Sequence, residues 1–129
     1  MAGRFLLDTN IVIALFTADA VVLKNIRDAD EVLISSVVLG ELYYGAKKSG
    51  RPEENVGRLD TFAAQNTILA CDTETSLHYG TIKAGLRTIG RMIPENDIWI
   101  AASAVQHDLT LVTRDAHFAE VRGLHTINW

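Results

Sequence analysis

Four carboxylates in this sequence, Asp8, Glu41, Asp97 and Asp115, could together bind a divalent cation. Carboxylates held close together repel one another, which raises the pKa of each, and a bound cation removes that cost. A ligand set of oxygens without cysteine or histidine favours Mg2+ or Mn2+ over Zn2+. Such a site can activate a water molecule and stabilise the charge that develops on a phosphodiester.

Asp8 and Asp115 occupy similar local settings. Asp8 directly follows the apolar run Phe5-Leu6-Leu7, and Asp115 ends the segment Leu111-Val112-Thr113-Arg114-Asp115. An Asp after a strand commonly caps the next helix, where it also gains from the helix dipole. Each of these two residues is therefore weak evidence for a metal when it is taken alone.

Glu41 and Asp97 lie within helical patterns. Glu41 flanks an apolar stripe, so an ordinary solvated glutamate remains an alternative for it. Asp97 is followed at helical spacing by four apolar residues, Ile100, Ala101, Ala104 and Val105. A carboxylate on such a core stripe must be capped, paired or metal-bound, and Asn96 is available as the helix cap instead. This makes Asp97 the more telling of the two.

The elements that must position these acids alternate between strands and helices. Strands are predicted at 5–8, 31–35, 67–71, 109–113 and, weakly, at the edge 124–127. Helices are predicted at 10–17, 19–27, 37–49, 52–65, 74–91, 94–107 and 115–121. This alternation predicts an α/β fold, a three-layer α/β/α sandwich around a parallel sheet of four to five strands with right-handed crossovers. If strands one and four are neighbours, the four acids converge at one edge of that sheet.

Several local features complete this prediction. Ser36 is expected to cap the helix from 37, and Pro52 suits a first helical turn. Cys71 is expected to be a small core residue at the end of a buried strand. His117, two residues after Asp115, could approach the site, but a surface position is expected because no second histidine gives a chelating pair. The helix at 74–91 carries a predicted apolar stripe of Leu77, Ile82, Leu86 and Ile89.

The composition sets limits on function. The 129 residues suit one domain, 1–129, with 48% hydrophobic residues and a mean hydropathy of +0.13. No apolar run reaches the roughly 18 residues of a membrane span, so no membrane partner is expected. A single cysteine fits a reducing cytoplasm. The net charge of −4 (12 basic minus 16 acidic residues) disfavours nucleic-acid binding, unless one or two cations shift it to about −2 or 0.

The sequence resembles the PIN-domain ribonucleases, and within them the VapC toxins of bacterial toxin–antitoxin pairs. The resemblance rests on an ordered set of segments: Leu7-Asp8-Thr9-Asn10, 36–46 around Glu41, 94–102 around Asp97, and Leu111 to Asp115. It covers essentially the whole chain. A lone Asp-Thr-Asn would be unspecific, whereas the ordered set is specific.

The resemblance implies a PIN-like fold and an endoribonuclease that depends on Mg2+ or Mn2+. Asp8 and Asp97 match the principal metal ligands, Glu41 and Asp115 complete the acidic pocket, and Asn10 and Thr113 match supporting polar positions. In this family the position of Asp115 is the most variable. The resemblance also implies an RNA substrate, often a tRNA, whose cleavage inhibits translation, and a VapB-type antitoxin that blocks the site. It further implies a homodimer formed through the early helices and a higher hetero-oligomer with the antitoxin.

Candidate RNA contacts are Arg114, closest to the acids in sequence, and the rim cations Lys47, Lys48 and Arg51. Ordinary solvated charge is an equally good interpretation of each. Other functions also stay open: a non-catalytic PIN-like module that binds RNA or protein, and a DNA-directed PIN-like nuclease. Phosphoryl-transfer domains with an Asp after a strand are disfavoured. Dehalogenase-like domains need a second Asp where Asn10 stands, and receiver domains need a later Lys for which there is no good candidate.

Overall fold

The computed structural model describes residues 3–129, and these form five strands, six α-helices and a short 3-10 helix. In chain order the elements are β1 (Arg4–Leu7), α1 (Thr9–Phe16), α2 (Ala20–Asp28), β2 (Glu31–Ser35), α3 (Ser36–Lys47), α4 (Pro52–Gln65), β3 (Thr67–Leu69), α5 (Thr73–Thr88), α6 (Glu95–Gln106), β4 (Thr110–Val112), the 3-10 helix (Ala116–Glu120) and β5 (Thr126–Ile127). The predicted order of elements is confirmed, and their ends differ from the prediction by up to three residues.

All five strands run parallel in the order β3-β2-β1-β4-β5. From β1 the chain steps outward to β2 and β3, then crosses back to β4 and β5. Because parallel crossovers are right-handed, this reversal puts α1 to α4 on one face of the sheet and α5, α6 and the 3-10 helix on the other. The predicted three-layer α/β/α sandwich is confirmed, and β1 and β4 are neighbours. Their carboxyl ends meet where the strand order reverses, which is where open α/β sheets place their sites.

The core is densest around β1. Leu6 pairs in register with Leu33 of β2 and Leu111 of β4, and all three side chains are buried. Helix α1 sends Ile11 and Val12 fully into this core. Helix α6 is buried on nearly every side, and its alanines let it lie close to the sheet. Strand β1 and helix α6, which position Asp8 and Asp97, are therefore largely buried.

Two predicted helix caps are wrong. The cap of α3 is Ser35, not Ser36, because Ser35 Oγ accepts a hydrogen bond from the backbone N–H of Val38 at 3.1 Å. Asn96 does not cap α6, which starts at Glu95 with Pro94 at the N-cap position and no side-chain cap. Pro52 does lie in the first turn of α4, as predicted. Both errors are displacements of one or two residues at a helix end, where the sequence offers adjacent candidates.

Two burial predictions are also wrong. Strand β3 ends at Leu69, so Cys71 lies beyond the strand and is exposed. On α5, Ile82 and Leu86 are buried, but Leu77 is 68% exposed, and Ile89, which follows the last residue of the helix, is 56% exposed. Helix α5 packs on α6 and touches the core along a narrower stripe than its sequence suggests.

Within residues 3–129, no single helix is long and apolar enough to cross a membrane. Helices α1 and α2 pass that test only as a pair joined across a 107° bend.

Candidate functional site

The four acids come together at the carboxyl edge of the sheet. Asp8 directly follows β1, and Asp115 lies three residues after the end of β4. Glu41 lies in the second turn of α3, and Asp97 lies in the first turn of α6, which contacts α3. Each of the other three acids raises the pKa of Asp97 by its negative charge, so the convergence predicted from strand order is realised.

Asp8 is held from two sides in an almost fully buried position. Its Oδ1 accepts the backbone N–H of Thr9 at 2.8 Å, which caps α1. Its Oδ2 accepts a hydrogen bond from Thr113 Oγ1 at 2.7 Å, across the β1–β4 junction. Burial is the main cause that raises the pKa of Asp8; the charges of Glu41 and Asp115 add to it, while the two hydrogen bonds oppose it. The carboxylate is thus fixed in orientation, and no positively charged residue of the described chain is among the groups that shift its pKa.

Thr113 and Thr9 link the acids into a network. The Thr113 hydroxyl, which donates to Asp8, accepts the backbone N–H of Asp115 at 3.0 Å. The Thr9 hydroxyl donates to Glu41 Oε1 at 2.7 Å. Each hydroxyl leaves lone pairs free on the carboxylate that it touches, because a carboxylate oxygen accepts more than one bond. The network therefore orients the acids without saturating them.

Asp97 differs from the other three acids in its hydrogen bonds. Among residues 3–129, no group donates a hydrogen bond to its carboxylate. Burial first, and then the charges of Asp8, Asp115 and Glu41, raise the pKa of Asp97 to about 6, against a weaker opposing effect of His117. A partly buried carboxylate that lacks a donor and faces three other acids is costly unless a cation is present.

Asp115 carries a histidine neighbour. It caps the 3-10 helix through a hydrogen bond from the His117 backbone N–H to its Oδ1, at 2.9 Å. The ring Nδ1 of His117 lies 2.8 Å from the same oxygen. Possible ligand atoms of Asp97, Asp115 and His117 all lie within 4.8 Å of one another. A divalent cation fits this set of ligand atoms. It would offset the burial and repulsion that raise the pKa values of Asp8 and Asp97, and it would bind the Asp97 carboxylate, which has no hydrogen-bond donor among residues 3–129.

His117 was predicted to be a surface histidine that could approach the site. The surface placement is correct, since 58% of its side chain is exposed. The Asp-x-His spacing could have predicted its contact with Asp115, because the second residue after the N-cap of a 3-10 helix lies close to the capping side chain.

The other predicted site residues divide into one that joins the acids and five that do not. Thr113 lies in the network. Within the described part of the chain, no hydrogen bond connects the rest to the four acids: Asn10, Arg114, Lys47, Lys48 and Arg51. Arg114 instead pairs with Asp19 at 3.1 Å and donates to the backbone oxygen of Trp129 at 2.9 Å.

The rim cations lie farther along α3 and at the start of α4. Lys48 lies over the ring of Tyr44, 4.8 Å from its centroid, and Arg51 pairs with Glu54 at 3.4 Å. Lys47 is exposed. Since α3 rises about 1.5 Å per residue, Lys47 lies about 9 Å along the helix axis from Glu41. These cations are therefore placed beside the acidic pocket rather than in it.

Comparison with known proteins gives a consistent set of relatives. The family model of the PIN domain matches residues 5–124. The chain is 39% identical to Ribonuclease VapC2 of Haemophilus influenzae and 36% identical to the tRNA(fMet)-specific endonuclease VapC of Shigella flexneri, each over 98% of both chains. Among solved structures it is similar to VapBC2 from Rickettsia felis bound to a promoter DNA fragment, with a TM-score of 0.88, 31% identity and 98% coverage of both chains.

Proposed function

The chain belongs to the PIN domain family and, within it, to the VapC ribonucleases, and we propose that it is an endoribonuclease toxin that depends on a divalent cation. The observation that carries the proposal is the set of four carboxylates that meet at one sheet edge, where no Lys or Arg among residues 3–129 forms an ion pair with any of them. Since such a toxin acts on cellular RNA, we expect it to work in the cytoplasm.

In this proposal Asp8 and Asp97 are the principal ligands of Mg2+ or Mn2+, and Glu41 and Asp115 complete the site. A bound divalent cation supplies activation of water and stabilisation of charge on the phosphodiester. Thr113 keeps the Asp8 carboxylate in one orientation, and Thr9 does the same for Glu41. The raised pKa values of Asp8 and Asp97 describe the protein before it binds the cation, which stabilises both as carboxylates.

The metal dependence is tested on toxin purified free of antitoxin. Total RNA is incubated with the protein in Mg2+, in Mn2+ or in EDTA, and cleavage is followed on a gel. We expect cleavage with either cation and none in EDTA, with recovery when the cation is restored. Cleavage that persists in EDTA would contradict the proposal.

RNA is the proposed substrate, and a tRNA is the first candidate. The supporting observation is that the relative from Shigella flexneri, at 36% identity, is named a tRNA(fMet)-specific endonuclease. Mapping of new 5′ ends in cellular RNA after induction of the toxin would identify the target. Equal cleavage of single-stranded DNA would favour the alternative of a DNA-directed nuclease.

A VapB-type antitoxin is the proposed protein partner, since the similar Rickettsia felis structure is a VapBC complex. An apolar groove of about 230 Å³ between α1, α3 and α4 runs up to Glu41 and Thr9. Its wall includes Ile13, which is 47% exposed. A peptide in this groove would reach the acids, so we propose it as the antitoxin surface.

The antitoxin proposal has a direct test. Ile13→Arg is expected to weaken co-purification with the antitoxin, because it puts a charge into the groove. Leu77→Arg, an equally drastic change at an exposed position of α5, is the matched control and should leave the complex intact. Loss of the complex in both variants would argue against this surface.

The predicted homodimer through the early helices stays a proposal. Val21 and Leu23 on α2 are 56% and 39% exposed, which leaves apolar surface there for a second copy. Sedimentation of the toxin and of a Val21→Arg variant would test it: the variant should sediment as a monomer.

A further inference from the structure

We propose that His117 is an additional metal ligand in this chain, and that it makes the site prefer Mn2+ to Mg2+. The inference rests on the proposed cation site and goes beyond it, because the four acids alone give a set of oxygen ligands that does not discriminate between the two ions. The observation behind it is the grouping of Asp97, Asp115 and His117, whose possible ligand atoms lie within 4.8 Å of one another.

The backbone of His117 is fixed beside the site. Its N–H donates to Asp115 Oδ1 at 2.9 Å, in the capping turn of the 3-10 helix. The next residue, Phe118, is fully buried and anchors that short helix against the sheet. The position of the His117 Cα is therefore set by the fold and by the same carboxylate that is proposed to bind the cation.

The ring of His117 is oriented by the same carboxylate. The side chain is 58% exposed, and its ring contacts Asp115 through Nδ1 at 2.8 Å. A histidine that ligates a metal commonly has its second ring nitrogen on a carboxylate, which fixes the tautomer and raises the basicity of the ligating nitrogen. The Asp115–His117 pair already provides that arrangement.

Ligand chemistry links this geometry to metal preference. Mg2+ prefers oxygen ligands and keeps several of its waters, so an imidazole adds little to its binding. Mn2+ accepts carboxylates and lies at the low end of the series of transition metals that also bind nitrogen ligands. A site of four carboxylates and one imidazole should therefore gain affinity for Mn2+ specifically.

A simpler role for His117 makes a different prediction. If it only balances the charge of Asp115, its removal leaves the site more negative and should affect Mg2+ and Mn2+ binding alike, without weakening either. It would then leave no nitrogen signal on a bound ion. The two roles are separated by a spectroscopic measurement that does not depend on activity.

The experiment uses the full chain, free of antitoxin, and Mn2+ as the probe. Electron paramagnetic resonance of free Mn2+ gives its affinity, competition with Mg2+ gives the relative affinity, and electron spin-echo modulation detects a 14N nucleus coupled to bound Mn2+. Wild type is compared with His117→Asn and His117→Gln. His125→Asn, at an exposed histidine of the following loop, is the matched control.

We expect wild type and the His125 variant to show the imidazole 14N modulation. Both His117 variants should lose it and bind Mn2+ about tenfold or more weakly, with Mg2+ affinity changed less than about twofold. Tight Mn2+ binding without 14N modulation in wild type would overturn the role of His117 while leaving the proposed carboxylate site intact. Absence of Mn2+ binding in every protein, wild type included, would overturn the metal site itself.

Discussion

Asp8 and Asp115 follow two neighbouring strands, but they differ in burial and in the contacts that hold them. Each follows a parallel strand at the same sheet edge, and each caps the helix that comes next. Asp8 follows the central strand β1, caps an α-helix of eight residues and is 5% exposed. The side chain of Asp115 is 31% exposed, and it caps a 3-10 helix of five residues beside the two-residue strand β5.

Their hydrogen-bond partners also lie at different distances along the sequence. Asp8 is held by Thr113, which is 105 residues away in sequence and belongs to the adjacent strand. Asp115 is held by His117, inside its own turn. A ligand fixed by tertiary contacts is pre-organised before the cation arrives, whereas one fixed only by its own turn can adjust. We infer that Asp8 defines the position of the cation and that Asp115 adapts to it.

The largest expected effect is on RNA cleavage. Asp8→Asn removes the pre-organised charge, and we expect cleavage to fall by at least about 100-fold, because preorganised charge in a site is worth that much. Asp115→Asn should cost less, about tenfold, since His117 and the other acids can compensate. Rates of RNA cleavage at saturating Mg2+ measure both. Equal losses in the two variants would contradict the distinction between a fixed and an adaptable ligand.

The next effect is on stability. Thr113→Val keeps the shape of the side chain but leaves Asp8 Oδ2 and the N–H of Asp115 without their partner. We expect the free energy of unfolding to fall by about 1–3 kcal/mol, the cost of unsatisfied buried groups. Urea titrations at pH 7 in EDTA provide the measurement.

Thr9→Val is the matched control for Thr113→Val. Thr9 and Glu41 are both partly exposed, so water can replace the lost hydrogen bond. We expect a loss below about 1 kcal/mol, near the net value of an ordinary hydrogen bond. A loss as large as that of Thr113→Val would show that the Thr9–Glu41 hydrogen bond contributes as much to stability as the hydrogen bonds of Thr113.

A smaller effect is expected from pH in the absence of metal. The pKa of Asp97 rises from its usual 3.8 to about 6 in the folded protein. Between these values the folded state holds a proton that the unfolded state has lost, so stability decreases as pH rises through this window. The full shift corresponds to about 3 kcal/mol, and partial solvent exposure of Asp97 reduces this to about 1–2 kcal/mol.

Asp97→Asn should therefore stabilise the metal-free protein at pH 7.5 by about 1–2 kcal/mol and have no such effect at pH 4. Urea unfolding at the two pH values measures the difference, and Glu53→Gln on the exposed first turn of α4 controls for general loss of charge. Addition of Mn2+ should stabilise wild type and not the variant. A variant that is less stable than wild type at pH 7.5 would show that Asp97 does not carry electrostatic strain.

The sequence predicted the elements well because apolar run lengths and helical periodicity are local properties. The meeting of Asp8 with Asp115 required only that strands one and four be adjacent, which a doubly wound order permits. Arg114 shows how sequence proximity misleads: it lies between Thr113 and Asp115, yet its guanidinium group binds Asp19 and the backbone oxygen of Trp129. Its pairing with Asp19 is a tertiary contact that no local pattern contains.

Cys71 and His117 show the same limit at the ends of elements. The apolar character of 67–71 does not reveal that pairing with β2 stops at Leu69. The position of the His117 ring depends on the tightness of the 3-10 turn, which the sequence does not specify. The sequence therefore lacks the end of the strand in the first case and the geometry of the turn in the second, and tertiary contacts decide both.

The smallest effect expected is that of Asp115 as a helix cap, in the protein without metal. Asp115→Ala removes the acceptor for the His117 N–H and should reduce the free energy of unfolding by about 0.5–1 kcal/mol. Asp115→Asn keeps a capping oxygen and should cost only a few tenths of a kcal/mol, because Asn and Asp cap almost equally well. Urea titrations in EDTA at pH 7 resolve the two variants. Because Asn caps but is a poor ligand for a hard cation, Asp115→Asn should keep its stability and lose Mn2+ affinity, which separates the structural role of this carboxylate from its proposed role at the metal. A loss of stability in Asp115→Asn as large as in Asp115→Ala would mean that the charge, and not the cap, holds the 3-10 helix in place.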